Sequence, residues 1–168
     1  IGIKNQSKNG TVKEALRLGC TAVGFTIYPG SDHQYEMIEE FKEISLEAAE
    51  YGLPSVLWSY PRGPEISKKA ETSIDTISYA AHIAALLGAH IIKVKPPTSL
   101  ISESSLRENY NALINLNSLS ERIKHIKKCA FNSKRIVVFS GGNAKGDEEI
   151  LTEIKQIKDG GGNGSIIG

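Results

Sequence analysis

Two lysines in one apolar run carry the most specific chemical signal in the sequence. Lys93 and Lys95 lie two residues apart within residues 90–95, directly before Pro96 and Pro97. On a β-strand they would point to the same face, where burial and a second nearby cation both favour the neutral amine over the ammonium. A neutral lysine amine is the nucleophile of Schiff-base chemistry. The same pattern also fits an edge strand with two solvated lysines, so the run alone leaves both interpretations open.

Two aromatic residues precede these lysines at strand spacing. Trp58 and Tyr60 also alternate onto one strand face, within residues 54–60. A phenol can donate or accept a proton, and an indole can exclude water from a polar site. Ordinary core packing is the commoner role for such aromatic residues. In a parallel sheet, however, this strand and the lysine strand would end at the same edge, which favours a shared site.

Two glycine-rich turns could bind phosphate. Ser140, Gly141 and Gly142 end the apolar run 135–140, and the segment GGGNG (160–164) precedes the last apolar run. Glycines leave backbone N–H groups accessible to an anion, and barrels often bind phosphate after their seventh and eighth strands. Neither turn has the pattern of a P-loop or of a dinucleotide-binding fingerprint. A tight connection or a helix cap would explain the glycines equally well.

Composition and the remaining reactive residues exclude several function classes. The 168 residues are 40% hydrophobic with a net charge of +1, which suits one packed domain and offers no basic surface to a nucleic-acid partner. No run approaches the roughly 18 apolar residues that would span a membrane. The four histidines and two cysteines show no metal-ligand spacing, so we expect no metal site. The widely separated Cys20 and Cys129 are typical of reduced thiols in the cytoplasm.

An alternation of strands and helices must position these residues. Capping patterns at residues 11–14 and 118–121 predict two of the helix starts, and residues 106–116 have helical propensity within a long segment after the lysine strand. Repeated strand–helix units indicate a parallel sheet, which is either an open doubly wound sheet, such as a flavodoxin-like domain, or a (β/α)8 barrel. Five apolar runs predict the strands, at residues 21–28, 54–60, 90–95, 135–140 and 164–167.

The length of the chain bears on the choice between these two architectures. A whole barrel takes about 250 residues, whereas this chain has 168 and begins at Ile1 rather than at Met. As a barrel, residues 1–168 would form a single C-terminal portion, about strands four to eight, with roughly three N-terminal units absent. The two lysines on one strand argue against the flavodoxin-like alternative.

Five segments together resemble one enzyme family. They are, in order, TIYPGS (26–31), WSYPRG (58–63), GAHIIKVKPP (88–97), FSGG (139–142) and GGGNGSIIG (160–168). Their order and approximate spacing are similar to those of the archaeal-type class I fructose-bisphosphate aldolases, which also occur in bacteria. The resemblance covers nearly the whole chain from Thr11 onward. It implies a TIM (β/α)8 barrel that needs no metal or other cofactor and cleaves fructose 1,6-bisphosphate into dihydroxyacetone phosphate and glyceraldehyde 3-phosphate.

The resemblance also implies catalytic roles for particular residues. Lys93 matches the lysine that forms the Schiff base, and Tyr60 matches the tyrosine that donates and accepts protons. Trp58 matches a tryptophan that lines the same pocket. Lys95 would either favour the neutral form of Lys93 or contact a phosphate of the substrate.

The phosphate-binding residues are implied in the same way. Ser140, Gly141 and Gly142 match a phosphate loop after the seventh barrel strand, and Gly161 and Gly162 fall in the region that completes this phosphate site. The sequence departs from the family at two points. It lacks the family's Asp-His-Gly triplet, which carries a catalytic aspartate at the end of the first strand, and it lacks the arginine that usually follows the final glycine.

Other functions remain open at this stage. Related transaldolase-like synthases and thiolases use the same lysine, although Trp58 and Tyr60 together favour the aldolase. A barrel that binds sugar phosphates without catalysis is the alternative from another class. For the aldolase we expect a sugar-phosphate substrate, a role in cytoplasmic glycolysis and gluconeogenesis, and no nucleic-acid or membrane partner. We also expect a homo-oligomer, because an incomplete barrel exposes strand edges and apolar faces.

Overall fold

The strands of the protein form one parallel sheet. The computed structural model describes residues 8–140 and 146–167 of the chain. Each strand lies within one of the predicted apolar runs and is slightly shorter than that run, because the run's outer residues belong to the turns. The strands are β1 (Val23–Ile27), β2 (Ser55–Ser59), β3 (Ile91–Val94), β4 (Ile136–Ser140) and β5 (Gly164–Ile166).

Helices alternate with these strands along the chain. The predicted helix starts are confirmed: the Thr11 hydroxyl accepts from the Glu14 N–H, the Glu14 carboxylate accepts from the Thr11 N–H, and the Ser118 hydroxyl accepts from the Glu121 N–H. Such caps satisfy N–H groups that have no partner in the first turn of a helix. The α-helices are α1 (Val12–Arg17), α2 (Gln34–Glu50), α3 (Ile74–Leu86), α4 (Arg107–Leu113), α5 (Leu119–Cys129) and α6 (Asp147–Asp159), with 3₁₀ turns at Ala70–Thr72 and Ser104–Leu106.

The order of the strands identifies the architecture. Neighbours in the sheet are β1, β2, β3, β4 and β5 in sequence order, and every pair is parallel. A doubly wound sheet reverses its strand order at a switch point, and this sheet has no such reversal among the described residues. Each new strand instead adds to the same edge, as in a (β/α)8 barrel. The predicted α/β class and partial TIM barrel are therefore confirmed, and the open-sheet alternative is wrong.

Alternate strand residues divide the sheet into two faces. The helix-side face contributes Phe25, Leu57, Ile92 and Phe139, which are buried in one cluster with apolar residues of α2, α3, α5 and α6. Burying each of these side chains contributes about 1.5–3 kcal/mol. The opposite face carries a row of residues in register across four strands, namely Thr26, Trp58, Lys93 and Val138.

The central position of β3 decides how its lysines should be interpreted. β3 pairs with β2 on one side and with β4 on the other, so the alternative of an edge strand with two solvated lysines is wrong. The strand buries Ile92 and Val94 toward the helices. Lys93 therefore lies on the opposite face, which in a barrel is the interior.

The long segment after β3 is attached to the start of α3. The Asp75 carboxylate accepts hydrogen bonds from the backbone N–H groups of Ser102 and Glu103 at 2.8–3.1 Å. The Thr98 N–H donates to the Thr72 carbonyl at 2.7 Å. Burial alone would raise the pKa of Asp75, but the hydrogen bonds from Glu103, Ser73 and Ser102 outweigh it and hold this pKa below the ordinary value. These hydrogen bonds hold residues 98–103 against the start of α3, beyond the carboxyl end of β3.

Candidate active site

The candidate site lies at the carboxyl edge of the sheet, which we define by Tyr60, Lys95 and Ser140 at the ends of β2, β3 and β4. Because parallel strands run in one direction, their ends meet at this edge. The register aligns Trp58 of β2 with Lys93 of β3. These two residues precede Tyr60 and Lys95, respectively, by two positions. The structure therefore brings five of the predicted site residues together, as their positions on parallel strands require.

Lys93 lies against the indole of Trp58. The Lys93 Nζ atom is 5.7 Å from the centre of the Trp58 ring system, which is within the range of a cation–π contact. A Schiff base formed by Lys93 becomes a protonated iminium, so the face of the indole would stabilise the cation of the intermediate. This arrangement is suited to an amine that attacks a carbonyl and then carries a positive charge.

The glycine beneath Trp58 makes this ring position possible. A Cβ atom on Gly24 would lie 2.1 Å from Cζ3 and 2.6 Å from Cη2 of the indole. Side-chain atoms do not approach each other so closely, so the ring occupies the space that a side chain at position 24 would need. The sequence did not predict the role of Gly24. A single glycine within a strand indicates that another group packs closely against it, but not which residue supplies that group.

Tyr60 reaches across the sheet to Ser140. Its hydroxyl lies 3.4 Å from the Ser140 Oγ atom, although β3 separates β2 from β4. The Arg62 guanidinium lies 5.9 Å from the Tyr60 ring centre and 5.3 Å from that of Tyr28. A phenol between a cation and a hydroxyl is placed to exchange protons at the site. Arg62 belongs to the segment WSYPRG, yet its stacking on two tyrosines was not predicted.

Lys95 is paired with a carboxylate that the sequence did not reveal. Its Nζ atom is 3.7 Å from Glu71 Oε2, which is also 3.0 Å from the Nζ atom of Lys68. Glu71 is only 9% exposed, a low value for a carboxylate. It comes from the 3₁₀ turn Ala70–Thr72. In sequence it belongs to a polar stretch that is typical of a solvated loop, so no signal pointed to it.

The glycine predictions have different outcomes. Gly141 and Gly142 lie outside the described residues, so their predicted phosphate contact stays a prediction. Gly161 and Gly162 lie before β5, at the edge opposite Lys95, and we correct their assignment to the phosphate site. Gly161 has φ +80° and follows the end of α6, where its N–H donates to the Lys158 carbonyl, as at many helix ends. A Cβ on Gly162 would lie 2.6 Å from Ile157 Cγ2, so close packing explains this glycine.

Metal-binding clusters, membrane-spanning helices or cavities in the rest of the described structure would indicate functions apart from this site. Within residues 8–140 and 146–167, no cluster of three or more His, Cys, Asp or Glu side chains could hold a metal ion. No helix in those ranges has the length and apolar character to cross a membrane. A cavity of about 240 Å³ lies beside α1 and β1, and none of the predicted site residues lines it. We therefore locate the candidate chemistry at the carboxyl edge.

Comparisons with known proteins find relatives along the whole chain. The chain is 36% identical over its full length to a protein of Halobacterium salinarum named fructose-bisphosphate aldolase class 1, of which it covers 55%. It is 26% identical over 98% of its length to 2-amino-3,7-dideoxy-D-threo-hept-6-ulosonate synthase of the same species, of which it covers 52%. The chain thus spans about half the length of the curated relatives it matches.

A solved structure shows the same fold with a reaction intermediate bound. The chain superimposes on an archaeal fructose-1,6-bisphosphate aldolase with a TM-score of 0.80 and 31% identity, and covers 100% of itself and 58% of that chain. In that protein the catalytic lysine is covalently bound to the carbinolamine intermediate of the substrate. The family model of the DeoC/LacD aldolases matches residues 3–168. This chain therefore belongs to the DeoC/LacD family of aldolases.

Proposed function

We propose that the full-length protein is a class I, Schiff-base-forming aldolase that reversibly cleaves fructose 1,6-bisphosphate into dihydroxyacetone phosphate and glyceraldehyde 3-phosphate. The proposal rests on the position of the Lys93 Nζ atom against the Trp58 ring, at the same edge as the contact between Tyr60 and Ser140. The family and the names of the relatives support an aldolase. The choice of fructose 1,6-bisphosphate is our proposal, as is its use in cytoplasmic glycolysis and gluconeogenesis by a homo-oligomer.

The reaction begins at Lys93 in this proposal. Its neutral amine attacks the C2 ketone, a C–N bond forms, and the ketone oxygen leaves as water to give an iminium. The C4 hydroxyl then loses its proton, the C3–C4 bond breaks, and the bonding electrons move toward the iminium nitrogen. Glyceraldehyde 3-phosphate leaves, and the resulting enamine takes a proton at C3. Hydrolysis of the iminium then releases dihydroxyacetone phosphate and restores Lys93.

Other residues at the carboxyl edge support these steps. We propose that Tyr60 donates and accepts protons, because its hydroxyl is the group that reaches across β3. Trp58 would line the pocket and stabilise the iminium through its ring face. Ser140, together with Gly141 and Gly142, would bind one phosphate of the substrate through backbone N–H groups. We propose that Lys95 contacts a phosphate of the substrate.

The proposal is tested by substituting the nucleophile in the full-length protein. Lys93→Met should abolish cleavage of fructose 1,6-bisphosphate, measured by trapping the released triose phosphate, while the fold survives. Lys128→Met is the matched control, because Lys128 is exposed on α5 and should have no effect on cleavage. Cleavage that persists in Lys93→Met would refute the assignment.

Two further outcomes of the same assay decide between the alternatives. The similarity to a heptulosonate synthase favours transaldolase-like chemistry as the second candidate. In that case the wild-type protein would consume the bisphosphate only when an acceptor carbonyl compound is added. Binding of the bisphosphate without turnover and without a borohydride-trapped lysine would instead indicate a non-catalytic sugar-phosphate-binding barrel.

A further inference from the structure

Lys93 of β3 and Lys95, which directly follows β3, have different surroundings. Lys93 lies against the aromatic face of Trp58, and no ion pair joins it to a carboxylate of the described residues. Lys95 lies 3.7 Å from the carboxylate of Glu71, with 24% of its own side chain exposed. A carboxylate at this distance holds the amino group of a lysine by an ion pair, whereas an indole face attracts it more weakly.

Glu71 is held in place by the surrounding backbone. Its side chain is 11% exposed and is anchored on the outer side by Lys68. The 3₁₀ turn that carries it is attached to the segment after β3, because both the N–H and the hydroxyl of Thr98 donate to the Thr72 carbonyl. The 3₁₀ turn and the segment after β3 together hold the Glu71 carboxylate beside Lys95.

We propose that Glu71 is a positioning residue that decides which of the two lysines becomes the nucleophile. The ion pair holds the Lys95 amino group at the Glu71 carboxylate, 3.7 Å away, so this amine is engaged and is not free to approach a ketone. Among the described residues no carboxylate holds Lys93, whose amino group lies against the Trp58 ring, so Lys93 is the amine that is free to meet the ketone. This inference rests on the proposed Schiff-base function and adds to it the origin of the choice between the lysines.

Two other cationic side chains at the carboxyl edge, Lys68 and Arg62, leave the difference between Lys93 and Lys95 unchanged. Lys68 is a second cation on Glu71, but its side chain is 81% exposed and is well screened by water. Arg62 stacks on Tyr60 and Tyr28 and adds positive charge at the neighbouring strand end. Among the described residues, Glu71 is thus the carboxylate that forms an ion pair with Lys95.

The substitution Glu71→Gln tests this inference in the full-length protein. Protein is incubated with dihydroxyacetone phosphate and reduced with borohydride, which adds hydride to the iminium carbon and converts the lysine into a stable secondary amine. Peptide mapping then measures the label at each lysine. Wild type should carry the label at Lys93. In Glu71→Gln the label at Lys95 should rise by up to about fivefold, because the ion pair that holds its amino group is lost.

A second background makes the change easy to detect. In Lys93→Met the Lys95 label should be at background with Glu71 present, and it should appear when Glu71→Gln is added. Glu71→Asp retains the charge at a greater distance from Lys95, so it should give an intermediate label. Glu65→Gln is the matched control, because Glu65 is exposed on the preceding loop and should leave the labelling unchanged.

The outcomes separate this inference from the proposed function. Label confined to Lys93 in a folded Glu71→Gln variant, or in a folded Glu71→Asp variant if Glu71→Gln melts early, would overturn the role of Glu71. Absence of label at both lysines in the wild-type protein would overturn the proposed function instead. Label on Lys95 in wild type would contradict both assignments of the two lysines.

Discussion

The contact between Gly24 and Trp58 permits a sharp test of how the site is positioned. In Gly24→Ala the new methyl group would lie 2.1 Å from the indole Cζ3 atom. Ordinary contacts between carbon atoms are about 3.5–4.0 Å, so the ring must move by more than about 1 Å or the strands must separate. The ladder between β1 and β2 holds the two backbones in register, which makes movement of the ring the easier response.

The structure allows the two consequences of this substitution to be estimated. A displacement of about 1 Å near the reacting groups can reduce turnover by about 10²-fold, so we expect kcat/KM for bisphosphate cleavage to fall between about tenfold and a hundredfold. Overpacking costs about 1–3 kcal/mol, and movement of one ring without separation of the strands should place this variant at the lower end. For a chain of this size, about 1 kcal/mol corresponds to a decrease of about 2–4 °C in Tm.

The assay is a double-mutant cycle in the full-length protein. Gly24→Ala and Trp58→Phe are made alone and together, because phenylalanine lacks the outer part of the indole that the new methyl group would strike. We expect Gly24→Ala to lower kcat/KM strongly beside Trp58 and only weakly beside phenylalanine. Gly10→Ala is the control, since its added Cβ would meet only Glu14 Oε2, at 3.8 Å.

Additive effects would refute the reasoning. Residues in contact typically show coupling of about 0.5–3 kcal/mol, so equal losses in both backgrounds would mean that the methyl group does not act through the ring. A Gly24→Ala variant with wild-type turnover would mean that the position of Trp58 against Lys93 is unimportant for catalysis.

Three further predictions concern the remaining parts of the site. Tyr60→Phe should lower kcat by about 10²–10⁴-fold with little change in Tm, and near-normal turnover would contradict its proton-transfer role. Asp75→Asn should lower the free energy of unfolding at neutral pH by about 1.5–3 kcal/mol. Because the pKa of Asp75 is lowered in the fold, its contribution is present above the ordinary value of 3.8 and is lost as pH falls below it, so urea titrations of the variant should show a weaker acid dependence. Gly141→Val should raise KM for the bisphosphate while a small unphosphorylated ketone still traps Lys93, with Gly146→Ala as control; an unchanged KM would refute the phosphate loop.

Much of the fold could be predicted because strand and helix signals are local. The apolar runs located the five strands found among the described residues, and the capping residues Thr11 and Ser118 located two helix starts. The alternation of residues along a strand also placed Trp58 and Lys93 on the same face. These predictions succeeded because each depends on the few residues beside it.

The parts that were missed depend on contacts between distant segments. The burial of Glu71 against Lys95 joins residues 24 positions apart, and nothing in the polar stretch around Glu71 distinguishes it from solvated neighbours. The error at Gly161 and Gly162 has a related cause, because a glycine cluster near a strand has the same appearance at either end of that strand. Only the end of α6 and the start of β5 show that these glycines lie at the opposite edge.

The most direct test of the central claim is the identity of the lysine that forms the Schiff base. The full-length protein is reduced with borohydride in the presence of dihydroxyacetone phosphate, digested, and analysed by peptide mass mapping. We predict one modified peptide, covering residues 88–97, with the label on Lys93 and with loss of cleavage activity in proportion to labelling. Label on another lysine, or full inactivation without any label, would contradict the account.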